Sequence, residues 1–302
     1  MKVLITGGSG LIGTRLSQLL LQQGYSVAHL SRQPTNHSGV IKRYHWDIDK
    51  GIIDPEALLE ADYLIHLAGA GIADERWSDA RKAELIASRT KSIELIAQQL
   101  ASIKHHIKGF TSAAGIGYYG ADTGDDTVTE SYVRGNDFLS ECSFAWEEAG
   151  ESIKKLGIRT TKLRTGIVLA REGGALPKLT QPIRYGVGAA LGSGKQYQSW
   201  IHLDDICRLF IHSIENETMQ GAYNAVAPNP VRQQELIKIS AQKIKMPLWL
   251  PNVPAFLLRL FLGEMACLVL GGNKVINQRI VNETTFEYSF TKVEDALSDL
   301  LP

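Results

Sequence analysis

Gly7, Gly10 and Gly13 stand three residues apart, directly after the apolar run Val3, Leu4 and Ile5. Such a turn, leading from a strand into a helix, leaves backbone N–H groups uncovered at the helix start, where unsatisfied donors and the helix dipole favour a diphosphate. Gly7 would permit the turn, Gly10 would let phosphates approach the backbone, and Gly13 would let helix and strand pack closely. Three glycines also mark ordinary turns, so the reading depends on the strand and helix around them. The second apolar run ends in HLSRQ, which puts Ser31 and Arg32 where a carboxylate would otherwise hold a ribose 2′-hydroxyl. A hydroxyl and a guanidinium attract a 2′-phosphate that a carboxylate would repel, so NADP(H) is expected in preference to NAD(H). The alternative is that Arg32 is a solvated surface arginine.

Arg164, Lys195, Gln196, Trp200 and His202 are candidates to line a small-molecule substrate pocket, with Arg164 and Lys195 suited to a phosphate or carboxylate. His202 directly precedes Leu203 and Asp204 at the start of an amphipathic stretch, and an imidazole bonded to the helix backbone is the plainer explanation of it. Arg279, within NKVINQRIV, also suits a pocket but has no position assigned by the pattern. Cys142, Cys207 and Cys267 are odd in number and far apart, which suits reduced thiols in a cytoplasmic protein rather than a disulfide frame or a metal site.

These residues need a scaffold. Short β-branched runs alternate with amphipathic stretches through the first half, which predicts an α/β fold: a doubly wound parallel sheet of the Rossmann type with a smaller, discontinuous C-terminal domain. Strands are expected at 2–6, 26–30, 40–44, 63–67, 108–112 and 159–163, and helices at 12–23 and about 55–60, 78–103 and 137–156. Right-handed crossovers would bring the strand C-termini to one edge, where doubly wound sheets bind ligands. After Leu169 glycines and prolines multiply, then a helix returns within 200–215 and a strand at 223–227. The expected division is 1–169 plus 199–227 for the nucleotide-binding domain, and 170–198 plus 228–302 for the substrate domain. Residues 286–290 alternate like a strand, and Thr291 with Glu294 reads as a capping box for the last helix.

The 302 residues include 32 basic and 32 acidic side chains, so no net field draws nucleic acid or an acidic membrane. The apolar segment 254–272 is interrupted by Arg259 and Glu264. It falls short of the roughly 20 apolar residues a spanning helix needs. A helix buried in the second domain or at a homodimer contact is expected there, and no membrane partner. The N-terminus enters a strand at once, so no secretory signal is expected.

Together with HLAGAGI at 66–72 and TSAAGIGYYG at 111–120, these features resemble the extended short-chain dehydrogenase/reductase superfamily. Within it the chain is similar to the atypical epimerase family, the sugar-nucleotide epimerase or cell-division-inhibitor-like proteins. RWSDARKAELIASR at 76–89, GSGKQYQSWIHLDDI at 192–206, GAYNAVAPNPV at 221–231 and the C-terminal EYSFTKVEDAL carry this likeness, which spans essentially the whole chain. The resemblance implies that Gly7, Ser9, Gly10, Leu11, Ile12, Ser31, Arg32, Leu67, Ala68 and Gly69 line the cofactor. It also implies contacts from Glu84 and Arg89 on the long helix, and from Asp47 of WDID to the adenine. By spacing alone Glu84 and Arg89 read as a solvated pair. The implied activity is that of an oxidoreductase or epimerase on a sugar-nucleotide-like or other small carbonyl substrate; a non-catalytic NADP(H)-binding sensor or regulatory protein is the alternative.

Most dehydrogenases of that superfamily carry a Tyr four residues before a Lys on the helix after the fifth strand, so that the ammonium lowers the tyrosine pKa and the phenolate serves as base. Here that helix reads DFLSECSFAWEEAG, and aligning on Glu147 puts Leu139 and Ser143 at the two positions. The only Tyr-x-x-x-Lys in the chain, Tyr288 with Lys292, falls across the boundary between an expected strand and the last helix. Ser112 is the hydroxyl nearest the family's serine position, and Tyr118 and Tyr119 follow at the mouth of the expected crevice. These three are the candidate acid–base groups; for the tyrosines, packing or cofactor stacking is the alternative.

Overall fold

A computed structural model describes residues 1–302. The first half runs β1 (Lys2–Thr6), α1 (Leu11–Gln22), β2 (Ser26–Ser31), β3 (Lys42–Asp47), β4 (Ile52–Ile53), α2 (Pro55–Leu59), β5 (Tyr63–His66), α3 (Asp79–Ser102), β6 (Gly109–Gly115), β7 (Thr127–Val128), α4 (Phe138–Lys154) and β8 (Arg159–Thr165). The second half adds β9 (Ile167–Leu169), α5 (Ala175–Arg184), β10 (Tyr197–Gln198), β11 (Trp200–His202), α6 (Leu203–Glu215), β12 (Gly221–Ala225), β13 (Val231–Arg232), α7 (Gln233–Ile244), α8 (Ala255–Leu262), α9 (Cys267–Leu270), β14 (Lys274–Val275), α10 (Gln278–Glu283) and α11 (Val293–Leu300).

Eight strands form one sheet in the order β12-β8-β6-β5-β1-β2-β3-β4, parallel throughout except where the two-residue β4 turns back on β3. This is the expected doubly wound α/β sheet. Val3 and Ile5 pack with Leu16 and Leu20 of α1 and Ile206 and Phe210 of α6. Leu4, one residue out of phase, packs with Leu64 of β5 and Ile93 and Ile96 of α3 on the other face. Both faces being covered, the strands read as continuous apolar runs, each fully buried Leu or Ile contributing roughly 2 kcal/mol.

Helix starts follow local chemistry. Ser78 caps α3 by accepting from the amide of Arg81 at 3.2 Å, Asp137 caps α4 through the amide of Ser140 at 3.0 Å, and Asp54 followed by Pro55 starts α2. The start of α1 has no such side chain, because Gly10 occupies the cap position.

Three expectations are corrected. The apolar segment 254–272 is not a single helix buried in the second domain: Gly263 adopts φ +60°, which ends α8, and a 3-10 turn (Gly263–Ala266) leads into the short α9. No residue of α8 is buried, and Phe256, Leu260 and Phe261 are 66–70% exposed. Residues 286–290 form no strand, and the chain bends at Ser289, where the amides of Ser289 and Phe290 each donate to the buried Asp205 carboxylate at 2.9 Å. The capping box does not form: Lys292 is the cap of α11 without a side-chain bond, which leaves Thr291 one residue too early. No helix is long and apolar enough to cross a membrane.

Candidate functional site

At the C-terminal end of β1 the chain turns tightly enough that only glycine fits at two points. Gly7 lies at φ +70°, where an added Cβ would meet the carbonyl carbon of Leu67 at 2.8 Å. A Cβ on Gly13 would stand 2.4 Å from the Gly7 carbonyl oxygen and 2.7 Å from Gly8 Cα. Gly8, which sequence reasoning passed over, is equally tight, because the His29 ring fills the space beside it at 2.4 Å. The Gly10 amide closes the turn on the Gly7 carbonyl at 3.0 Å. The first turn of α1 carries no acidic residue and no side-chain cap, so the amides of Leu11, Ile12 and Gly13 are left for an external acceptor. Ser9, Gly10 and Leu11 edge a cavity of about 460 Å³ shared with Arg15, Arg171, Glu172, His202, Asp204 and Asp299. The cavity also carries the carboxylates of Glu172, Asp204 and Asp299, so it is the uncompensated amides at the start of α1 that suit a diphosphate.

The next strand end completes this edge. The Thr6 hydroxyl accepts from the amides of Leu67 and Ala68 at 3.2 Å each and lies 2.7 Å from His66 Nδ1, which fixes the chain after β5. Gly69 then lies against Arg89, whose side chain an added Cβ would meet at 3.2 Å. Arg89 is buried; it donates to the carbonyls of Leu85 at 2.8 Å and Ala70 at 2.9 Å, its guanidinium lies 4.9 Å from the centre of the Trp146 ring, and burial lowers its pKa.

Away from the turn, Arg32, directly after β2, is exposed and edges a second cavity of about 430 Å³ with His45, Asp47, Glu84, Ser88 and Lys91. Ser31 accepts from the amide of Gln33 at 3.2 Å. The Lys50 side chain and amide hold Asp47 below the usual carboxylate range. Glu84 pairs with Arg81 at 2.8 Å rather than with Arg89, so the two residues taken together from the long helix face different cavities.

A third cavity, about 310 Å³, lies between the ends of β6 and β8, helix α4, and the 197–199 and 267–273 segments. Leu139 and Ser143, one helical turn apart on α4, both line it, and Ser143 Oγ comes within 3.1 Å of where a Cβ on Gly117 would stand. The other polar linings are Arg89, Thr165, Tyr197, Gln198, Ser199 and Asn273, with the thiols of Cys142 and Cys267. No carboxylate, imidazole or amine is among them. Sequence reasoning missed Tyr197, Gln198, Ser199 and Asn273; the first three sit in the GSGKQYQSW stretch, flagged by likeness alone, and Asn273 joins because Ser199 Oγ donates to its carbonyl at 2.7 Å.

The residues named as acid–base and substrate candidates sit elsewhere. The Ser112 hydroxyl is buried and donates to the Ala113 carbonyl at 2.7 Å. A 3-10 turn, Ile116–Tyr119, rotates Tyr119 inward, where its hydroxyl donates to Asn224 at 2.6 Å and accepts from Arg164 at 2.9 Å; burial pushes its pKa up to about 12. Tyr118 lies under the Arg164 guanidinium at 3.5 Å. Arg164 is itself buried and forks onto Glu147 at 2.7 and 3.0 Å. Burial disfavours its charge, but the Glu147 bonds outweigh this and raise its pKa. Trp200 is fully buried and donates to the Asn229 carbonyl at 2.9 Å. Lys195 is exposed, and Gln196 braces the carbonyls of Leu191 and Val269 at 3.0 and 2.7 Å. His202 caps α6, its Nδ1 accepting from the Asp204 amide at 3.1 Å, and it stacks on Phe290 at 3.9 Å. Arg279 is bound to Glu283 and to the carbonyl of Ala222.

The sequence pattern of the family described as "NAD dependent epimerase/dehydratase family" matches residues 3–225, and that of "Domain of unknown function (DUF1731)" matches 253–300. "Epimerase family protein YfhF" of Bacillus subtilis is 32% identical over 301 residues, covering 100% of this chain and 98% of that relative. The crystal structure of human epimerase family protein SDR39U1 (isoform2) with NADPH is similar at a TM-score of 0.87 and 30% identity, covering 99% of both chains. A nucleoside-diphosphate sugar epimerase from Corynebacterium glutamicum is similar at a TM-score of 0.80 and 29% identity, covering 99% of this chain and 58% of that one.

Proposed function

The chain belongs to the NAD dependent epimerase/dehydratase family, and we propose that it binds NADP(H) and acts on a small carbonyl or sugar-nucleotide-like compound. The observation that carries this reading is the glycine-walled start of α1, whose free amides suit the diphosphate, with Arg32, directly after the neighbouring strand β2, edging a separate cavity where a 2′-phosphate would find a guanidinium. Leu67, Ala68 and Gly69 would flank the cofactor, Asp47 and Glu84 its adenosine end, and Arg89 the inner end. When bound, NADPH supplies a hydride. Ser143, Gln198 and Asn273 would orient a carbonyl, and Tyr197 is the only phenol on that wall able to give it a proton. The cavity's volume is at the small end for ligand pockets, which favours a compact reacting group.

We assign 1–169 plus 199–227 to nucleotide binding and 170–198 plus 228–302 to the substrate side. Three free cysteines suit a reducing compartment such as the cytoplasm.

Titration of the protein with NADPH and NADH by fluorescence or calorimetry tests the reading. NADPH should bind the more tightly, Arg32→Ala should lose about 10- to 100-fold for NADPH and little for NADH, and Gly13→Ala should weaken both. No binding of either coenzyme, or an Arg32→Ala variant indifferent between them, overturns it. A second reading, a binding protein without turnover, is favoured by Leu139 and Ser143 at the positions where most dehydrogenases of the wider superfamily carry Tyr and Lys. Turnover of any carbonyl or nucleotide sugar that is lost in Tyr197→Phe with NADPH affinity intact excludes it.

A further inference from the structure

We propose that the face formed by the loop after α5, the α7–α8 connection and α8 docks on the surface of an anionic lipid bilayer. The net neutrality of the chain conceals a segregation of charge. Residues 173–203 and 236–263 contain no Asp or Glu, while Arg184, Lys243, Lys245 and Arg259 lie within them. The two stretches are joined in space. Trp249 Nε1 donates to the Gly186 carbonyl at 2.9 Å, the Val253 amide to Ala190 at 2.8 Å, and the Gly192 amide to Val253 at 2.9 Å. Beneath them α5 and α7 pack through Ile183, Ile237 and Ala241.

Seven of the thirteen large apolar side chains left exposed on the molecule belong to these two stretches, which makes this face unlike the rest of the surface. Tyr185, Trp249, Phe256, Leu260 and Phe261 are each at least 66% exposed. Glu264, the first acid after α8, is paired with Lys82 at 2.5 Å. Protruding aromatic and leucine side chains beside unpaired cations are what an interfacial element offers to headgroups and the acyl boundary. The lack of any carboxylate in the stretches favours an anionic surface. Insertion would be shallow, since no helix here crosses a bilayer.

The test is co-sedimentation of the full-length protein with vesicles of phosphatidylcholine alone and of phosphatidylcholine mixed with phosphatidylglycerol. Binding should be confined to the mixed vesicles and should weaken with added salt. Arg184→Gln with Lys245→Gln should reduce it by about fivefold per cation removed. Phe256→Ser with Phe261→Ser should reduce it about tenfold or more. The thermal midpoint should be unchanged in both double variants, which separates lost docking from lost folding. Equal binding to both vesicle types, no binding to either, or parental binding by both double variants overturns the proposal. So does a dimer in light scattering that Phe256→Ser with Phe261→Ser converts to monomer, which would assign the face to a second copy of the chain.

Discussion

Replacing Glu147 with alanine asks whether Arg164 serves a ligand or braces the sheet. The two side chains are only 7% and 5% exposed, and the pair spans from α4 to β8 with bonds of 2.7 and 3.0 Å. Without the carboxylate, the guanidinium keeps only neutral acceptors: the Tyr119 hydroxyl at 2.9 Å and the Glu130 carbonyl at 3.3 Å. Stranding one charge of a buried pair costs about 3–5 kcal/mol. For a chain of this length that corresponds to a fall in Tm of about 5–8 °C. Glu147→Gln retains an acceptor and should lose about 1–3 kcal/mol. Arg164→Met with Glu147→Leu removes both charges at similar volume and should recover most of the loss. Thermal and urea unfolding followed by circular dichroism measure all three. A Glu147→Ala protein within about 0.5 kcal/mol of the parent, or a double variant no more stable than the single one, refutes the bracing role.

Two further outcomes follow from buried titratable groups. Burial, with Arg89 nearby, pushes the His66 pKa down to about 3. The unfolded imidazole takes up a proton near pH 6.5 while the folded one stays neutral, so the stability contributed is complete above that pH and is lost as pH falls towards 3. Urea unfolding should show a slope approaching about 1.4 kcal/mol per pH unit on the acid side, and His66→Gln should flatten it; an unaltered slope would reject the assignment. Burial also pushes the cavity thiols up, Cys267 to about 11 and Cys142 above its ordinary value. Alkylation at neutral pH, read by mass spectrometry, should therefore be at least about tenfold slower than in the unfolded chain, and labelling at the rate of a free thiol would contradict this.

The sheet was legible because its strands are apolar on both faces and its helices carry an apolar stripe, so Val3 to Ile5 and Leu16 with Leu20 announce their positions locally. The His202 cap was legible for the same reason: its partner, Asp204, is two residues away. What could not be read depends on distant groups. Arg164 looks like a pocket cation until Glu147 is found opposite it, and Tyr119 looks like a crevice tyrosine until a 3-10 turn carries it to Asn224. Residues 286–290 alternate correctly for a strand, yet their amides are taken by Asp205, 84 residues upstream of Ser289. The helix expected through 254–272 fails at a single glycine whose backbone is left-handed. The cavity between α4 and β8 draws its walls from seven separate segments, and no local pattern brings Tyr197 and Asn273 together.

The outermost position of β12 has a bearing on how the molecule is made. Seven of the eight sheet strands are complete by Thr165, but β8 gains its second neighbour only from Gly221–Ala225. As the chain leaves the ribosome at about 5–20 residues per second, the far margin of β8 spends several seconds as a bare ladder able to recruit another nascent chain. Sealing that margin is a late event in biogenesis, so a polypeptide interrupted before residue 221 would carry most of its hydrophobic interior together with an open seam.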